Sequence, residues 1–342
     1  MIDMELGPIR PPSEAESLML RLTRGCHWNK CYFCDLYKKY RFSRRKYEEI
    51  EEDLKKAAGS EYAQNYTTCF LQDGDAFVLR TEFLIQILEG IHKYLPNIKH
   101  VTTYARADSI ARKSVSELRE LKAAGIEHLY CGMETGSDLI LRKINKGFDA
   151  ATIIIGGTKA KEAGMVLSEF TLFGIGGKEL AEENAVETAK VLNVIKPDFI
   201  RVHATGIKLS SEMWNYVKNK ELTLQSEEEI VSEQKIMLEL LADDMDCIYM
   251  NEHIVNLLLE VRGNIRTDKQ NMLETINTYL QLPKQEQELF NLGRRLNIMF
   301  FLADLNNRAK RKQTEEGLRK IKAQNPDLDL AFVCNYVRQT QI

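Results

Sequence analysis

The sequence contains no run of about 18 consecutive apolar residues, so no transmembrane helix is predicted. It also lacks an excess of charge of either sign, since 47 lysines and arginines against 50 aspartates and glutamates leave a formal net charge of −3. This balance argues against nucleic acid or a membrane surface as an obligatory partner. The opening residues, MIDMELGPIRPPSEAES, lack the apolar core of a secretory signal. We therefore expect a soluble cytoplasmic protein.

Cysteine is sparse and unevenly distributed. Four of the seven cysteines stand far apart, whereas three lie together in the stretch LTRGCHWNKCYFCDL, at Cys26, Cys31 and Cys34. An odd number of cysteines spread in this way is a poor disulfide framework, while three clustered thiols are typical of a metal site.

Short apolar or β-branched runs alternate with helical patterns from residue 16 to about residue 205. The predicted strands cover residues 17–23, 66–72, 98–105, 126–133, 165–175 and 198–204. Such alternation predicts an α/β fold with a parallel sheet and right-handed crossovers. Two architectures fit, a doubly wound open sheet and a partial (β/α)6 TIM-like barrel. In both, ligands bind beyond the C-terminal ends of the strands, and the cysteine cluster directly follows the first strand.

After residue 206 the sequence shows helical patterns only. These are predicted at residues 226–244, 251–263, 268–282 and 284–302, and a charged tail helix follows. We therefore predict an N-terminal segment (1–15), an α/β core (16–205) and a helical C-terminal extension (206–342) that covers or flanks the barrel mouth.

The spacing of the clustered cysteines limits the kind of metal site. Four residues separate Cys26 from Cys31, and two separate Cys31 from Cys34. A structural zinc site takes four ligands, and an electron-transfer [4Fe–4S] cluster normally takes four thiolates. Three thiolates leave one iron without a protein ligand, which suits a catalytic cluster. Zinc, a cluster completed by a distant ligand, and a loop without metal are the alternatives.

The stretch RGCHWNKCYFC resembles the radical S-adenosylmethionine superfamily, whose commonest pattern, Cys-x3-Cys-x2-Cys, has a first gap one residue shorter. The likeness covers residues 16–205 and is closest to the branch of oxygen-independent coproporphyrinogen oxidase, Elp3 and MiaB. It implies a (β/α)6 fold, an oxygen-sensitive [4Fe–4S] cluster on the three cysteines, and S-adenosylmethionine bound at the open iron. Phe33 occupies the family position that packs near the adenine.

The resemblance also implies a cofactor role for the loop after the second strand. In LQDGDAFVL, the family's Gly-Gly-Glu motif is replaced by Gln72, Asp73, Gly74 and Asp75. In the family, the backbone of this motif contacts the amino group of S-adenosylmethionine. An acidic turn that merely ends a strand is the alternative.

The stretch YCGMETGSDLILRKINKG resembles a second motif of that branch, Gly-x-Glu/Gln-Ser/Thr-Gly. The resemblance implies that Glu134 binds the methionine amino group or the ribose hydroxyls, and that Arg142 or Lys143 faces the methionine carboxylate. An ordinary helix N-terminus, with Ser137 as the N-cap and Asp138 beside the positive end of the helix dipole, fits the same residues.

Candidate cofactor and substrate contacts with weaker sequence signals lie at other predicted strand ends. In FTLFGIGGKE, Gly174 and Gly176 permit close backbone approach to the adenine and ribose that the resemblance implies, although such glycines are more often a turn. Candidate substrate contacts lie in TYARAD, IRVHATG and the predicted helix MNEHIVN. They are Arg106, Asp108, Arg201, His203, His253 and Asn256. The i,i+3 spacing of His253 and Asn256 puts both on one face of the predicted helix.

The predicted function is that of a radical enzyme. An electron donor such as flavodoxin or ferredoxin reduces the cluster, which cleaves S-adenosylmethionine to a 5′-deoxyadenosyl radical that abstracts hydrogen from an unidentified substrate. The scattered cysteines form no second cluster motif, which disfavours a methylthiotransferase. The alternatives are a zinc- or cluster-containing binding protein for RNA or a protein partner, and a protein whose cluster only relays electrons.

Overall fold

The computed structural model describes residues 9–324 and 329–341. Its strands are, in chain order, β1 (Leu18–Arg21), β2 (Thr23–Arg24), β3 (Ser43–Arg44), β4 (Thr68–Gln72), β5 (His100–Ala105), β6 (Ile126–Glu134), β7 (Val166–Phe173), β8 (Phe199–Ala204), β9 (Ile248–Met250) and β10 (Gly263–Asn264). Its α-helices are α1 (Tyr47–Ala58), α2 (Thr81–Tyr94), α3 (Ala107–Ala111), α4 (Val115–Ala123), α5 (Asp138–Lys143), α6 (Ala150–Glu162), α7 (Ala181–Ile195), α8 (Met213–Lys218), α9 (Glu227–Leu240), α10 (Ile265–Leu280), α11 (Lys284–Arg295), α12 (Arg308–Gln324) and α13 (Leu330–Thr340). The predictions for residues 1–8, 325–328 and 342 lie outside the described residues.

One mostly parallel sheet contains eight strands in the order β1-β4-β5-β6-β7-β8-β9-β10. The pairs β1–β4, β4–β5, β5–β6 and β8–β9 are parallel, and β10 is antiparallel to β9. The six predicted strands are β1 and β4 to β8, so this prediction is confirmed. Their order follows the chain without the reversal that a doubly wound sheet requires. The fold is therefore an α/β partial TIM-like barrel, and it is not closed.

The prediction that only helices follow residue 206 is wrong. Strands β9 and β10 extend the sheet, and the predicted helix at residues 251–263 is an irregular segment ending in the first residue of β10. The side chain of Asn251 donates to the carbonyl of Leu258 at 2.6 Å, across seven residues. Tertiary packing overrides the helical pattern here, because Val255, Leu257 and Leu258 are buried although the segment is not a helix.

Asn256 shows what this irregular segment does for the sheet. Its Oδ1 accepts from the Ala204 N–H at 2.7 Å, and its Nδ2 donates to the Val202 carbonyl at 2.7 Å. The side chain thus satisfies backbone groups at the end of β8, which a helix would leave to other partners. His253 and Asn256 consequently share no helical face, and Asn256 has a structural role.

The first of two compact units contains the described part of Met1–Met133 together with Gly147–Glu169. Cys69, Phe70 and Leu71 of β4 form a continuous apolar run and are all fully buried, as expected for a parallel strand that is covered on both faces. Such a buried sheet is a rigid base for the loops at its C-terminal ends.

The second unit contains Glu134–Lys146 and the described part of Phe170–Ile342. Helices α7 and α9 pack together in it, and Asn184 donates to the buried carboxylate of Glu233 at 2.5 Å. The predicted domain boundary at residue 205 stays a prediction. Across the described residues, no helix has the length and apolar character needed to cross a bilayer.

Candidate radical S-adenosylmethionine site

The three clustered cysteines lie in an irregular loop, residues 25–42, which we call the cysteine loop. Its base is closed by a short antiparallel pair in which Thr23 faces Arg44 and Arg24 faces Ser43. The loop leaves the sheet at the C-terminal end of β1, where ligand sites of parallel α/β folds are found. Its position therefore agrees with a cofactor site.

The Cys31 side chain is buried, and those of Cys26 and Cys34 are half-buried. Among the described residues, no three Cys, His, Asp or Glu side chains converge on a point that would hold a single metal ion. Soft thiolate donors in one sheltered loop nevertheless match the ligand preference of an iron–sulfur cluster. The donor set fits the predicted cluster by its chemistry.

The base of the cysteine loop is anchored by the predicted cofactor loop after β4. The N–H of Gly25, at φ +76°, donates to the Asp73 carboxylate at 3.0 Å, and the Asp73 N–H donates to the Thr23 hydroxyl at 3.1 Å. Arg21 lies 3.5 Å from the same carboxylate. The Asp73 side chain is buried and positions the cysteine loop.

Gly74 lies where the two loops meet. A Cβ at this position would lie 2.8 Å from Cε2 of Tyr37 and 3.2 Å from Cβ of Cys26. Only glycine allows this approach without movement of a ring or of a predicted iron ligand. The neighbouring Gln72 is buried, and its amide donates to the Ile9 carbonyl at 3.3 Å.

His27, next to Cys26, is held by two carboxylates. Its Nδ1 lies 3.0 Å from Asp75, and its Nε2 lies 3.9 Å from Asp108. Burial would lower the pKa of His27, but Asp108 and Asp75 outweigh that effect and raise it to about 9. Asp75 also accepts from the Ser109 hydroxyl at 2.6 Å. The fully buried Asp75 side chain therefore positions the cysteine loop.

Arg106 and Asp108, predicted as substrate contacts, lie against this loop. Arg106 donates through Nε to Asp108 at 2.9 Å, and its guanidinium lies over the rings of Trp28 and Phe148 at 5.4 and 4.8 Å. Burial would raise the pKa of Asp108, but His27 and Arg106 hold it at about 2. Their substrate role stays a prediction.

Trp28 occupies a slot whose wall is the backbone of Gly147. A Cβ on Gly147 would lie 2.4 Å from Cε2 and Cζ2 of the indole, and the residue has φ +86°. The sequence reasoning missed this contact, because 119 residues separate the two positions and no local pattern joins them.

We expect Gly147→Ala to lose most of its bound iron after reconstitution, because the new methyl group displaces Trp28 and with it the cysteine loop. The matched control is Gly164→Ala, which has a similar φ of +75° but meets only the flexible end of Lys122. Both changes carry a backbone cost of about 1–2 kcal/mol, so the difference isolates the clash. Iron and sulfide analysis measures the result, and equal iron in the two variants would contradict it.

In the second unit, Glu134 is paired with a lysine that the sequence reasoning missed. Lys146 lies 2.7 Å from its carboxylate, and both side chains are largely buried. Lys143 donates to the Glu221 carbonyl at 2.8 Å, and Arg142 is exposed. Lys146 is thus the basic residue that contacts Glu134, while the predicted carboxylate role of Arg142 or Lys143 stays a prediction.

The alternative interpretation of this segment, an ordinary helix N-terminus, also agrees with the structure. Ser137 is the N-cap of α5, and its hydroxyl accepts from the Ile140 N–H at 3.3 Å. Glu134 has φ +64°, a conformation that non-glycine residues seldom adopt. This strained backbone directs the chain from β6 into α5 and agrees with a functional position at the strand end.

The glycines after β7 pack against other residues of the second unit. The N–H of Gly174, at φ +81°, donates to Glu233 at 3.0 Å. A Cβ on Gly176 would lie 2.9 Å from Leu180 Cβ and 3.0 Å from Ile140 Cδ1. Burial raises the pKa of Glu233 to about 7 despite its hydrogen bonds. The described contacts fit the turn alternative, and adenine or ribose contact stays a prediction, as does that of half-buried Phe33.

His203 and His253 come together although they are 50 residues apart. Their ring centroids are 4.2 Å apart, and the ring of Phe170 lies 5.5 Å from His203. Burial, then His253 and Arg201, lower the pKa of His203 to about 3, and burial lowers that of His253 as well. Both imidazoles are therefore neutral near pH 7. Arg201 is buried, and its substrate role stays a prediction.

The fold and the loop together define a class of protein, an open α/β half-barrel with three cysteines in the loop that follows its first strand. The family model of the radical SAM superfamily matches residues 20–192, which is half of the chain. The chain belongs to the radical SAM superfamily.

Relatives are distant. The heme chaperone HemW of Bacillus subtilis (strain 168) is 22% identical over 214 residues, which cover 61% of this chain and 55% of HemW. The chain thus spans about half the length of the curated relative it matches, and the match supports the branch predicted from the sequence. The structure of the cobalamin-dependent S-adenosylmethionine radical enzyme OxsB has a TM-score of 0.52 at 14% identity, covering 95% of this chain and 58% of OxsB. Coproporphyrinogen III oxidase (HemN) of Escherichia coli has a TM-score of 0.49 at 16% identity, covering 65% and 52%.

Proposed function

We propose that this protein is an enzyme that cleaves S-adenosylmethionine reductively at a [4Fe–4S] cluster held by Cys26, Cys31 and Cys34. The observation that carries the proposal is the cysteine loop, which brings three thiols together and is held by Asp73, Gly74 and the Trp28 slot. When bound, the cluster and its cofactor supply one electron and a 5′-deoxyadenosyl radical. A cytoplasmic location and an electron donor such as flavodoxin or ferredoxin belong to the same proposal.

The residues of the chain would place and shelter these groups. The three thiols would hold the cluster, and the half-buried loop would limit the access of water and oxygen to it. The backbone of Gly74, next to Cys26, would contact a bound amino group, as the resemblance implies. The binding of an amino group or of ribose hydroxyls by Glu134 stays a prediction from the resemblance. The substrate stays unidentified.

The test is anaerobic reconstitution of the full chain with iron and sulfide, followed by dithionite and S-adenosylmethionine. We expect 5′-deoxyadenosine in mass spectrometry, and none from the Cys26→Ala/Cys31→Ala/Cys34→Ala variant. A protein that takes up zinc in place of the cluster, or a cluster that leaves S-adenosylmethionine intact, would refute the proposal. Those outcomes favour the binding protein for RNA or a partner, or the electron relay.

A second candidate function is heme binding, which the match to the heme chaperone HemW favours. Neutral imidazole is a common ligand of heme iron, and His203 and His253 are neutral near pH 7 and close together. Phe170 beside them adds an apolar surface for a porphyrin face.

For this candidate we expect hemin to give a shifted Soret band when it binds the full chain. His253→Ala should weaken the affinity for hemin at least tenfold. The control is His100→Ala, which removes an imidazole that is about half exposed and lies in the other unit. Equal hemin binding by the two variants would exclude His253 as a heme ligand and leave the radical enzyme as the remaining candidate function.

A further inference from the structure

Tyr37, three residues beyond the last clustered cysteine, has a buried hydroxyl that the sequence reasoning did not consider. The residue is 4% exposed, and its hydroxyl has no hydrogen-bond partner among the residues that the structure describes. A buried hydroxyl without a partner destabilises the fold, so a protein seldom keeps one unless something else binds there.

The surroundings of Tyr37 indicate what that partner is. Burial raises the pKa of its hydroxyl, and the nearby groups that raise it further are Asp73, Tyr104 and the thiols of Cys26 and Cys34. The ring edge next to the hydroxyl lies against Gly74, and Cys26 lies against the same glycine, since a Cβ on Gly74 would be 2.8 Å from Tyr37 Cε2 and 3.2 Å from the Cβ of Cys26. Tyr37 and a predicted iron ligand therefore meet at Gly74.

Asp73, a polar neighbour of Tyr37, is already engaged by other groups. Asp73 accepts from the Gly25 N–H and pairs with Arg21, and no hydrogen bond joins it to Tyr37 within the described residues. A neutral phenol offers one O–H donor, and sulfur of an anionic cluster or of its thiolate ligands is an acceptor.

We propose that Tyr37 donates its hydroxyl proton in a hydrogen bond to a sulfur of the cluster or of its cysteine ligands, and that this bond raises the reduction potential of the cluster. The inference rests on the proposed function, because it requires the cluster. A hydrogen bond to sulfur stabilises the reduced cluster more than the oxidised one, since reduction adds negative charge. Tyr37 is a positioning and tuning residue that makes electron uptake easier.

The experiment is a redox titration of the anaerobically reconstituted full chain, followed by electron paramagnetic resonance of the reduced cluster. We expect Tyr37→Phe to shift the one-electron reduction equilibrium about tenfold towards the oxidised cluster, which is about 59 mV more negative. The matched control is Tyr40→Phe, which removes the hydroxyl of a residue on the same loop that is 41% exposed, and it should titrate as the wild type does. A Tyr37→Phe potential equal to that of the wild type would overturn the proposal.

A second measurement tests the proposal in the event that the Tyr37→Phe variant fails to assemble a cluster. Electron–nuclear double resonance on the wild-type cluster, in water and in deuterium oxide, should show an exchangeable proton coupled to the cluster. Its absence overturns the proposal without any variant. Deoxyadenosine is assayed in the same samples, so an active wild type with an unshifted variant refutes only the role of Tyr37, whereas a wild type without a cluster refutes the proposed function as well.

Discussion

Cys31→Ala is expected to retain almost none of the roughly four irons per chain that a reconstituted [4Fe–4S] protein holds. Cys26→Ala and Cys34→Ala should behave alike, because losing any of three ligands leaves the cluster with too few thiolates. Deoxyadenosine formation should fall to background in each variant. Iron, sulfide and the cluster's visible absorption measure the effect directly.

The matched controls are alanine changes at the other cysteines, which are Cys69, Cys131, Cys247 and Cys334, all buried. The thiolate is the form that binds iron. Burial raises the pKa of Cys69, and burial together with the Glu227 charge raises that of Cys334 to about 12, so neither thiol ionises readily. All four controls should keep their iron. Loss of iron in one of them would identify a fourth thiolate and contradict the three-cysteine site.

Glu227→Ala should lower the free energy of unfolding by about 3–5 kcal/mol, because it leaves two buried cations without their counter-charge. The carboxylate accepts two hydrogen bonds from Arg295, both of 2.8 Å, and lies 3.5 Å from Arg338. All three side chains are almost completely buried. Urea unfolding followed by circular dichroism measures the change.

The neighbouring carboxylate provides the control for this prediction. Glu228 accepts from Lys284 at 2.8 Å, but the lysine is largely exposed, and such pairs contribute about 0–1 kcal/mol. Glu228→Ala should therefore cost much less than Glu227→Ala. Similar losses of unfolding free energy in the two variants would show that the buried ion pairs of Glu227 contribute little to stability.

The contribution of Glu227 should also depend on pH. Burial would raise its pKa, but Arg295 and Arg338 hold it at about 2, against 4.5 for an ordinary glutamate. A carboxyl with a lowered pKa stabilises the fold fully above about pH 4.5 and loses that contribution as the pH falls towards 2. Glu227→Gln should accordingly flatten the decline of stability between pH 4.5 and 2. An unchanged pH profile would contradict the assignment.

Much of the fold could be predicted because its signals are local. Strands such as β4 and β8 are short apolar runs, and their alternation with helices implies a parallel sheet. The helix at residues 251–263 was predicted wrongly, since its apolar spacing is helical but its partner is the end of β8, to which Asn256 bonds. Strands β9 and β10 are three and two residues long, too short to leave a pattern.

The cysteine loop was predictable for a different reason. The proposed ligands of the cluster lie close together in the sequence, so the spacing of Cys26, Cys31 and Cys34 is enough to single them out. Residues that position the loop carry no such signal, and Tyr37 and Gly147 look ordinary in the sequence. Lys146 was passed over in favour of Arg142 and Lys143, because helical spacing could not show which lysine turns back to the Glu134 carboxylate.

The amino-acid sequence by itself determined the α/β class, the positions of the six main strands along the chain and the three-thiol loop, because each depends on residues that are near neighbours along the chain. Only the tertiary structure decided the order of these strands in the sheet. It also decided which carboxylates hold the cysteine loop, which glycines its side chains pack against, and that His203 meets His253. These contacts join residues tens of positions apart, and their distances are set by how the loops pack on the sheet.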